Sequence, residues 1–74
     1  MILINNAQME YIKMIFRKRE IKTKDINVEY RGVKNGRHFY LILLPDTNIA
    51  ITTPKLYMVA DIQKAVRALV NTES

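Results

Sequence analysis

The chain has no cysteine, one histidine, one serine and only seven carboxylate side chains among its 74 residues. Without cysteine there is neither a disulfide nor a thiolate metal site, and the lone His38 cannot form a structural zinc site. Ser74, the only serine, lies at a terminus, where we expect no rigid frame for a nucleophile. The carboxylates are spread along the chain, so paired acid–base chemistry is not indicated. We therefore expect no enzymatic activity, no metal and no cofactor.

Glycine, proline and long apolar runs are scarce as well. The two glycines, Gly32 and Gly36, lie in a predicted hairpin rather than in a phosphate-binding loop. The apolar run at residues 1–4 is too short for a signal peptide or a membrane span, and no basic segment precedes it. We therefore expect a cytoplasmic protein that does not enter a membrane.

A length of 74 residues, with 49% hydrophobic side chains, predicts one domain over residues 1–74 with a packed core. A chain of this size buries only ~60% of the surface that its unfolded state exposes, so it is marginally stable alone. No disulfide can compensate, because cysteine is absent. We expect a homodimer to supply the missing burial.

Positive charge is concentrated in one third of the chain. Nine of the twelve Lys and Arg residues lie between residues 13 and 37, where only Glu20, Asp25 and Glu29 oppose them. That segment therefore carries +6 (nine minus three), whereas the whole chain carries +5. A local excess of this kind attracts nucleic acid or an acidic protein surface.

The first predicted element is a helix over about residues 6–19. Asn5 is a favourable N-cap, Gln8 completes a capping-box pattern, and Ile4 is spaced to staple Met9. Apolar side chains fall on one arc of this helix and charged side chains on another. Basic residues in its last turn also suit the negative end of the helix dipole, so a solvated, well-capped helix would explain them without a ligand.

A hairpin follows, because Asn35-Gly36 is the preferred pair for a two-residue type I′ turn. The turn joins strands over about residues 26–33 and 37–44 and pairs Lys34 with Arg37. The face that we assign to the core then pairs Val28 with Leu43, Tyr30 with Leu41, and Gly32 with Phe39. The opposite face pairs Asn27 with Leu44, Glu29 with Ile42, Arg31 with Tyr40, and Val33 with His38.

The rest of the chain predicts a short third strand and a second helix. A turn at residues 45–48 precedes a strand over about residues 49–52, whose register is open by one residue. Pro54 suits the first turn of a helix over about residues 56–71, whose apolar side chains fill one arc. The order α-β-β-β-α predicts an α+β fold, in which both helices pack on one face of a three-stranded antiparallel sheet.

The second strand is apolar on both faces, which is typical of a covered central strand. With both helices on one face, Tyr40, Ile42 and Leu44 would stay exposed on the other and form a partner patch. A second copy of the chain would cover that patch, as would Ile2 and Leu3.

The candidate binding residues come from the end of the first helix, the following loop and the hairpin tip, which we expect to form one basic surface that contacts phosphates. Asn35 and His38 would reach a groove or a phosphate, although His38 is also explained as a solvated hairpin residue. Arg31 beside Tyr40 would stack on a base, unless the two are an ordinary cross-strand pair. The candidates for nucleic-acid or partner binding are Arg17, Lys18, Arg19, Lys22, Lys24, Arg31, Lys34, Asn35, Arg37, His38 and Tyr40.

The element order over residues 6–71 resembles the double-stranded-RNA-binding domain, and the basic stretch Lys-Asn-Gly-Arg-His at residues 34–38 is similar in kind to that family's minor-groove loop. The family's Gly-Pro pair and the lysine-rich start of its last helix have no counterpart here. Its major-groove phosphate contacts are therefore not carried over. In element order alone, residues 26–71 also resemble the arm-binding domains of tyrosine recombinases.

The sequence is compatible with three functions. The first is a small, non-enzymatic nucleic-acid-binding or regulatory module that contacts phosphates through residues 13–37. The second is an inhibitor of the kind that phages and mobile elements encode, which docks on a host protein through basic and apolar surfaces. The third is a regulatory subunit or dimeric scaffold in which the charge has no role.

Overall fold

The computed structural model describes residues 5–71, and the predictions for Ile2, Leu3 and Ile4 lie outside that range. The elements are α1 (Asn6–Arg19), β1 (Asn27–Lys34), β2 (Arg37–Leu43), β3 (Asn48–Thr53) and α2 (Val59–Asn71), with one 3-10 turn at Thr23–Asp25. The strands form one antiparallel sheet in the order β1-β2-β3. The α+β fold and its element order are confirmed, and each strand lies within one residue of its predicted bounds.

Helix α1 begins and ends at the predicted residues because both ends are capped locally. Asn5 Oδ1 accepts a hydrogen bond from the Gln8 N–H at 3.0 Å. The second bond of a capping box is missing, since the buried Gln8 Oε1 has no hydrogen-bond partner within residues 5–71. At the other end Glu20 has a φ of 54°, and its N–H donates to the carbonyl of Phe16, as in other left-handed C-caps.

The β1–β2 hairpin turns where the sequence predicts. Asn35 and Gly36 have φ values of 52° and 75°, and a type I′ turn needs positive φ at both positions. The pairs next to the turn are also those predicted, namely Lys34 with Arg37, Val33 with His38, and Gly32 with Phe39.

A β-bulge then changes the register. Gly32 pairs with Phe39 but Tyr30 pairs with Tyr40, which leaves Arg31 as an extra residue on β1. Gly32 has a φ of 100°, a conformation that L side chains rarely adopt and that glycine reaches without strain. On the far side of the bulge from the turn, each residue of β1 is shifted by one position on β2 relative to the prediction. Val28, for example, opposes Ile42 and not Leu43.

This shift reverses the faces of β2, because successive side chains of a strand alternate between faces. Tyr40, Ile42 and Leu44 have exposures of only 0%, 0% and 8%, so the prediction that they form an exposed partner patch is wrong. Phe39 and Leu41 lie on the opposite face instead and are partly exposed. We call this opposite face, which is turned away from the helices, the outer face.

The core lies between the two helices and the face of the sheet that is opposite to the outer face. The register of β3 pairs Ile49 with Ile42 and Ile51 with Tyr40, which places both isoleucines of β3 in the core. The buried cluster comprises Ile12 and Phe16 of α1, Ile26, Tyr40, Ile42 and Leu44, Ile49 and Ile51 of β3, and Ile62 and Val66 of α2.

Helix α2 starts at Val59, three residues later than we predict, because side chains bind the backbone that precedes it. The hydroxyl of Tyr40 donates to the carbonyl of Tyr57 at 2.8 Å and accepts from its N–H at 2.7 Å. The buried Thr53 hydroxyl donates to the carbonyl of Lys55 at 2.6 Å. These bonds hold the backbone between β3 and α2 in a non-helical path.

Candidate nucleic-acid interface

The basic residues form two groups at opposite ends of the sheet. The α1-end group comprises Arg17, Lys18, Arg19, Lys22 and Lys24, and the hairpin group comprises Arg31, Lys34 and Arg37. Arg19 contacts Asp46 in the β2–β3 turn, so the α1-end group lies beside the start of β1. The hairpin tip lies about 23 Å from the start of β1, since Asn27 and Lys34 are seven steps of ~3.3 Å apart along the strand. The structure therefore separates residues that the sequence analysis combined into one surface.

Acidic side chains partly compensate the α1-end group. Arg19 Nη1 lies 2.6 Å from Asp46 Oδ2, and both side chains are well exposed to solvent. Glu20 and Asp25 lie in the same segment as Lys18, Lys22 and Lys24, and all five are exposed. This end of the molecule thus presents mixed charge, and exposed pairs of this kind contribute little energy.

The hairpin group lies beside an aromatic ring on the outer face. Phe39 pairs with Gly32 on one side and Thr52 on the other, and it is partly exposed. A cleft of about 410 Å³ opens beside this ring and is lined by Arg31, Gly32, Val33, Lys34 and Phe39. Because Gly32 has no side chain, nothing from that position covers the cleft. The sheet thus offers an accessible ring bordered by cations.

Arg37 is held against the outer face by its neighbour on β3. Its Nε donates to Thr52 Oγ1 at 3.0 Å, and its Nη2 donates to the carbonyl of Thr52 at 3.3 Å. A guanidinium has five N–H donors in a fixed plane. Two of them orient this plane across the sheet, which leaves the others to meet an acceptor from solvent.

Arg31, the bulge residue, is oriented by an ion pair. Its Nη1 lies 3.0 Å from Glu29 Oε1, and about half of each side chain is exposed. The ion pair holds Arg31 over the outer face. Because exposed ion pairs are weak, a phosphate could replace Glu29 as the partner of Arg31 at little energetic cost. Glu29 also lowers the net charge of the hairpin group from +3 to +2, so it opposes the binding of a polyanion.

Two predicted site residues, Tyr40 and His38, lie on the face of the sheet that is turned toward the helices. Tyr40 is fully buried, with its hydroxyl bonded to Tyr57, so it cannot stack on a ligand, and the bulge removes the predicted pairing of Arg31 with Tyr40. His38 Nδ1 lies 2.9 Å from the Tyr30 hydroxyl at the end of the core. Phe39 is the residue that the sequence analysis missed, and an isolated glycine inside a strand was the signal for the bulge that exposes it.

Within residues 5–71, no group of three or more His, Asp or Glu side chains is placed to hold a metal ion. Neither helix between residues 5 and 71 combines the length and the hydropathy of a membrane span. Comparisons with known protein families, with curated proteins and with solved structures found no match. Function has to be inferred from the geometry of the outer face.

Proposed function

We propose that this protein is a small, non-enzymatic module that binds single-stranded nucleic acid in the cytoplasm through the outer face of its β1–β2 hairpin. The observation that carries the proposal is the partly exposed ring of Phe39 among Arg31, Lys34 and Arg37. Bases stack on such a ring while the cations bind the phosphates. Stacking tolerates any base, so we expect little sequence preference.

A single strand fits this surface better than a duplex. The bases of a duplex are stacked on each other, whereas those of a single strand can turn toward a protein ring. The ring lies on the face of a three-stranded sheet with β1 and β3 on either side of it, whereas a major groove admits a helix or a two-stranded ribbon. This broad face therefore suits a single strand better than the major groove of a duplex. The cations alone would still give weak, salt-dependent binding to a duplex.

The test is fluorescence anisotropy with labelled DNA and RNA single strands and a duplex at two salt concentrations. Phe39→Leu retains an apolar side chain but removes the aromatic face. It should weaken single-strand binding by the ~1–3 kcal/mol that stacking contributes per base, which is about 5- to 150-fold. Duplex binding should hardly change, because it uses only the cations.

Charge-reversal variants distinguish binding at the hairpin site from non-specific attraction of nucleic acid to a positively charged protein. Lys34→Glu should weaken binding about tenfold or more, and Glu29→Gln should strengthen it. Lys64→Glu is the matched control, since it makes the same charge change on the exposed face of α2. Equal losses for Lys34→Glu and Lys64→Glu would mean that only net charge matters. No binding at low salt would refute the proposal.

A second candidate is docking on an acidic protein, and one observation favours it. Leu41 and Leu43 continue the row of Phe39 along the outer face and are partly exposed. Apolar and cationic side chains together suit a protein partner, or a second copy of this chain, as well as a nucleic acid. Leu41→Ser should leave oligonucleotide affinity within about twofold if nucleic acid is the ligand, because this side chain offers no stacking surface.

A further inference from the structure

The cations of the hairpin group lie at both margins of the sheet, with Phe39 between them. Arg31 and Lys34 line the cleft on the β1 side of this ring. Arg37 belongs to β2, but its Nε and Nη2 donate to Thr52, so its guanidinium lies at β3. Because Thr52 is the partner of Phe39 on β3, the row of residues that crosses the sheet at Phe39 has an aromatic ring at its centre and positive charge at both ends.

The charge at both margins is open to a phosphate. No ion pair between residues 5 and 71 involves Lys34 or Arg37. Arg37 is oriented by the hydroxyl and the carbonyl of Thr52, which are neutral groups and leave its positive charge uncompensated. Arg31 is paired with Glu29, but both side chains are about half exposed, and such a pair is weak. Each margin therefore has at least one cation that can bind a phosphate.

The rest of the outer face carries no positive charge. Toward the β2–β3 turn, two further rows cross the sheet, and neither contains a lysine or an arginine: they are Glu29, Leu41 and Ala50, then Asn27, Leu43 and Asn48. A nucleic-acid strand that ran along β2 would bring its phosphates toward the carboxylate of Glu29, and like charges placed side by side cost free energy. A strand that crosses the sheet at Phe39 meets cations on both sides instead.

Building on the function proposed above, we infer that the nucleic-acid strand follows a transverse path, across the three β-strands, and that its site is about three nucleotides long. The base of the central nucleotide stacks on Phe39, and the phosphates on its two sides bind the cations of the two margins. The margins are two strand spacings apart, ~10 Å, so a short stretch of single strand spans them. The ligand class is unpaired segments of a few nucleotides, such as loops and overhangs, which are shorter than the ~4–16 nucleotides that an OB-fold usually takes.

The test is titration of the full chain with unlabelled oligothymidylates of two, three, four and eight nucleotides, followed by amide chemical shifts. Affinity should rise about tenfold from the dimer to the trimer, because only the trimer has a phosphate for each margin. From three to eight nucleotides, the affinity per binding position should stay within about threefold, since further phosphates meet no cation. The largest shifts should lie at Gly32, Phe39 and Thr52, with little change at Leu43.

Failure of the transverse path and failure of single-strand binding give different results. An affinity per position that rises by about tenfold or more between three and eight nucleotides would overturn the transverse path and leave single-strand binding in place. Shifts as large at Leu43 as at Phe39 would do the same. No shift with any oligomer at low salt would refute the proposed function itself, and the transverse path with it.

Thr52→Glu and Ala50→Glu are matched variants, because each adds one carboxylate to the outer face of β3, two residues apart. Thr52→Glu should weaken trimer binding about tenfold or more, since the new carboxylate compensates Arg37 at the margin that the strand crosses. Ala50→Glu should weaken it less than about threefold, because the strand does not pass that row. Equal losses for the two variants would overturn the transverse path, and the oligomer series on the unmodified chain decides the same question without any substitution.

Discussion

Replacing Tyr40 by phenylalanine removes one oxygen atom from the centre of the core. Tyr40 is fully buried, and its hydroxyl donates to the Tyr57 carbonyl at 2.8 Å and accepts from the Tyr57 N–H at 2.7 Å. The phenylalanine ring fills the same space, so the contact with Tyr30 at a centroid distance of 5.2 Å should be retained. The loss falls on the two backbone groups of Tyr57.

The expected cost follows from those two groups. A buried polar group that loses its partner costs ~1–3 kcal/mol, and water can reach the partly buried Tyr57 in part. We therefore expect Tyr40→Phe to lower the free energy of unfolding by about 2–4 kcal/mol. A domain of this length has a total of only ~4–11 kcal/mol, at ~0.05–0.15 kcal/mol per residue. The variant should be severely destabilised although its core volume is nearly unchanged.

The assay is urea unfolding followed by circular dichroism. Tyr30→Phe is the matched control, since it removes a hydroxyl that bonds His38 Nδ1 at 2.9 Å on a side chain that is 38% exposed. We expect that control to cost less than about 1 kcal/mol, because water replaces the lost partner. If Tyr40→Phe costs no more than Tyr30→Phe, the Tyr57 backbone is satisfied in another way, and our reason for the late start of α2 is wrong.

The remaining predictions concern local features of the fold. Gly32→Ala should cost about 1–3 kcal/mol in urea unfolding, because a φ of 100° strains any side chain although no atom lies within 4 Å of the new Cβ; a neutral result would mean that the bulge relaxes. Asn5→Ala should cost ~1 kcal/mol by the loss of the bond to the Gln8 N–H, and Asn5→Asp should retain the stability. Asp46→Asn should cost less than ~1 kcal/mol, because its ion pair with Arg19 is exposed to water; a larger loss in thermal unfolding would contradict that assignment.

Features that depend on a few neighbouring residues were predictable from the sequence. Asn5 and the left-handed residue after Arg19 cap α1 within one turn of the chain, so its bounds are as predicted. The Asn35-Gly36 pair sets the hairpin turn through its own backbone angles. The element order follows from these local signals and from the apolar periodicity.

Features that depend on distant residues were not predictable in the same way. The start of α2 is delayed by a hydroxyl that lies 17 residues earlier in the chain, at Tyr40. The register of β1 depends on a bulge, for which Gly32 is the only local signal. Since β2 is apolar on both faces, alternation of polar and apolar residues could not show which face is covered.

The candidate site was predictable in kind but not in detail. Arg31, Lys34 and Arg37 are recognisable as cations of one hairpin, and the structure keeps them together around one cleft and its neighbouring strand. The aromatic partner could not be assigned without the bulge, because a shift of one residue exchanges Tyr40 for Phe39. The sequence could not show that the α1-end group and the hairpin group lie far apart, because that distance depends on how β1 runs away from the end of α1.

The choice between the two faces of β2 links the stability of the fold to its binding surface. Either face would bury three large apolar side chains, so hydrophobic burial alone does not decide between them. The side chain with a polar atom does decide: Tyr40 finds both a donor and an acceptor at Tyr57 inside the core, whereas the ring of Phe39 needs no polar partner on the outer face. The bulge at Arg31 makes this exchange, and it also places Arg31 at the cleft that Phe39 lines. A change that removed the bulge by a register shift would therefore alter core and binding surface together, whereas Phe39→Leu alters only the surface.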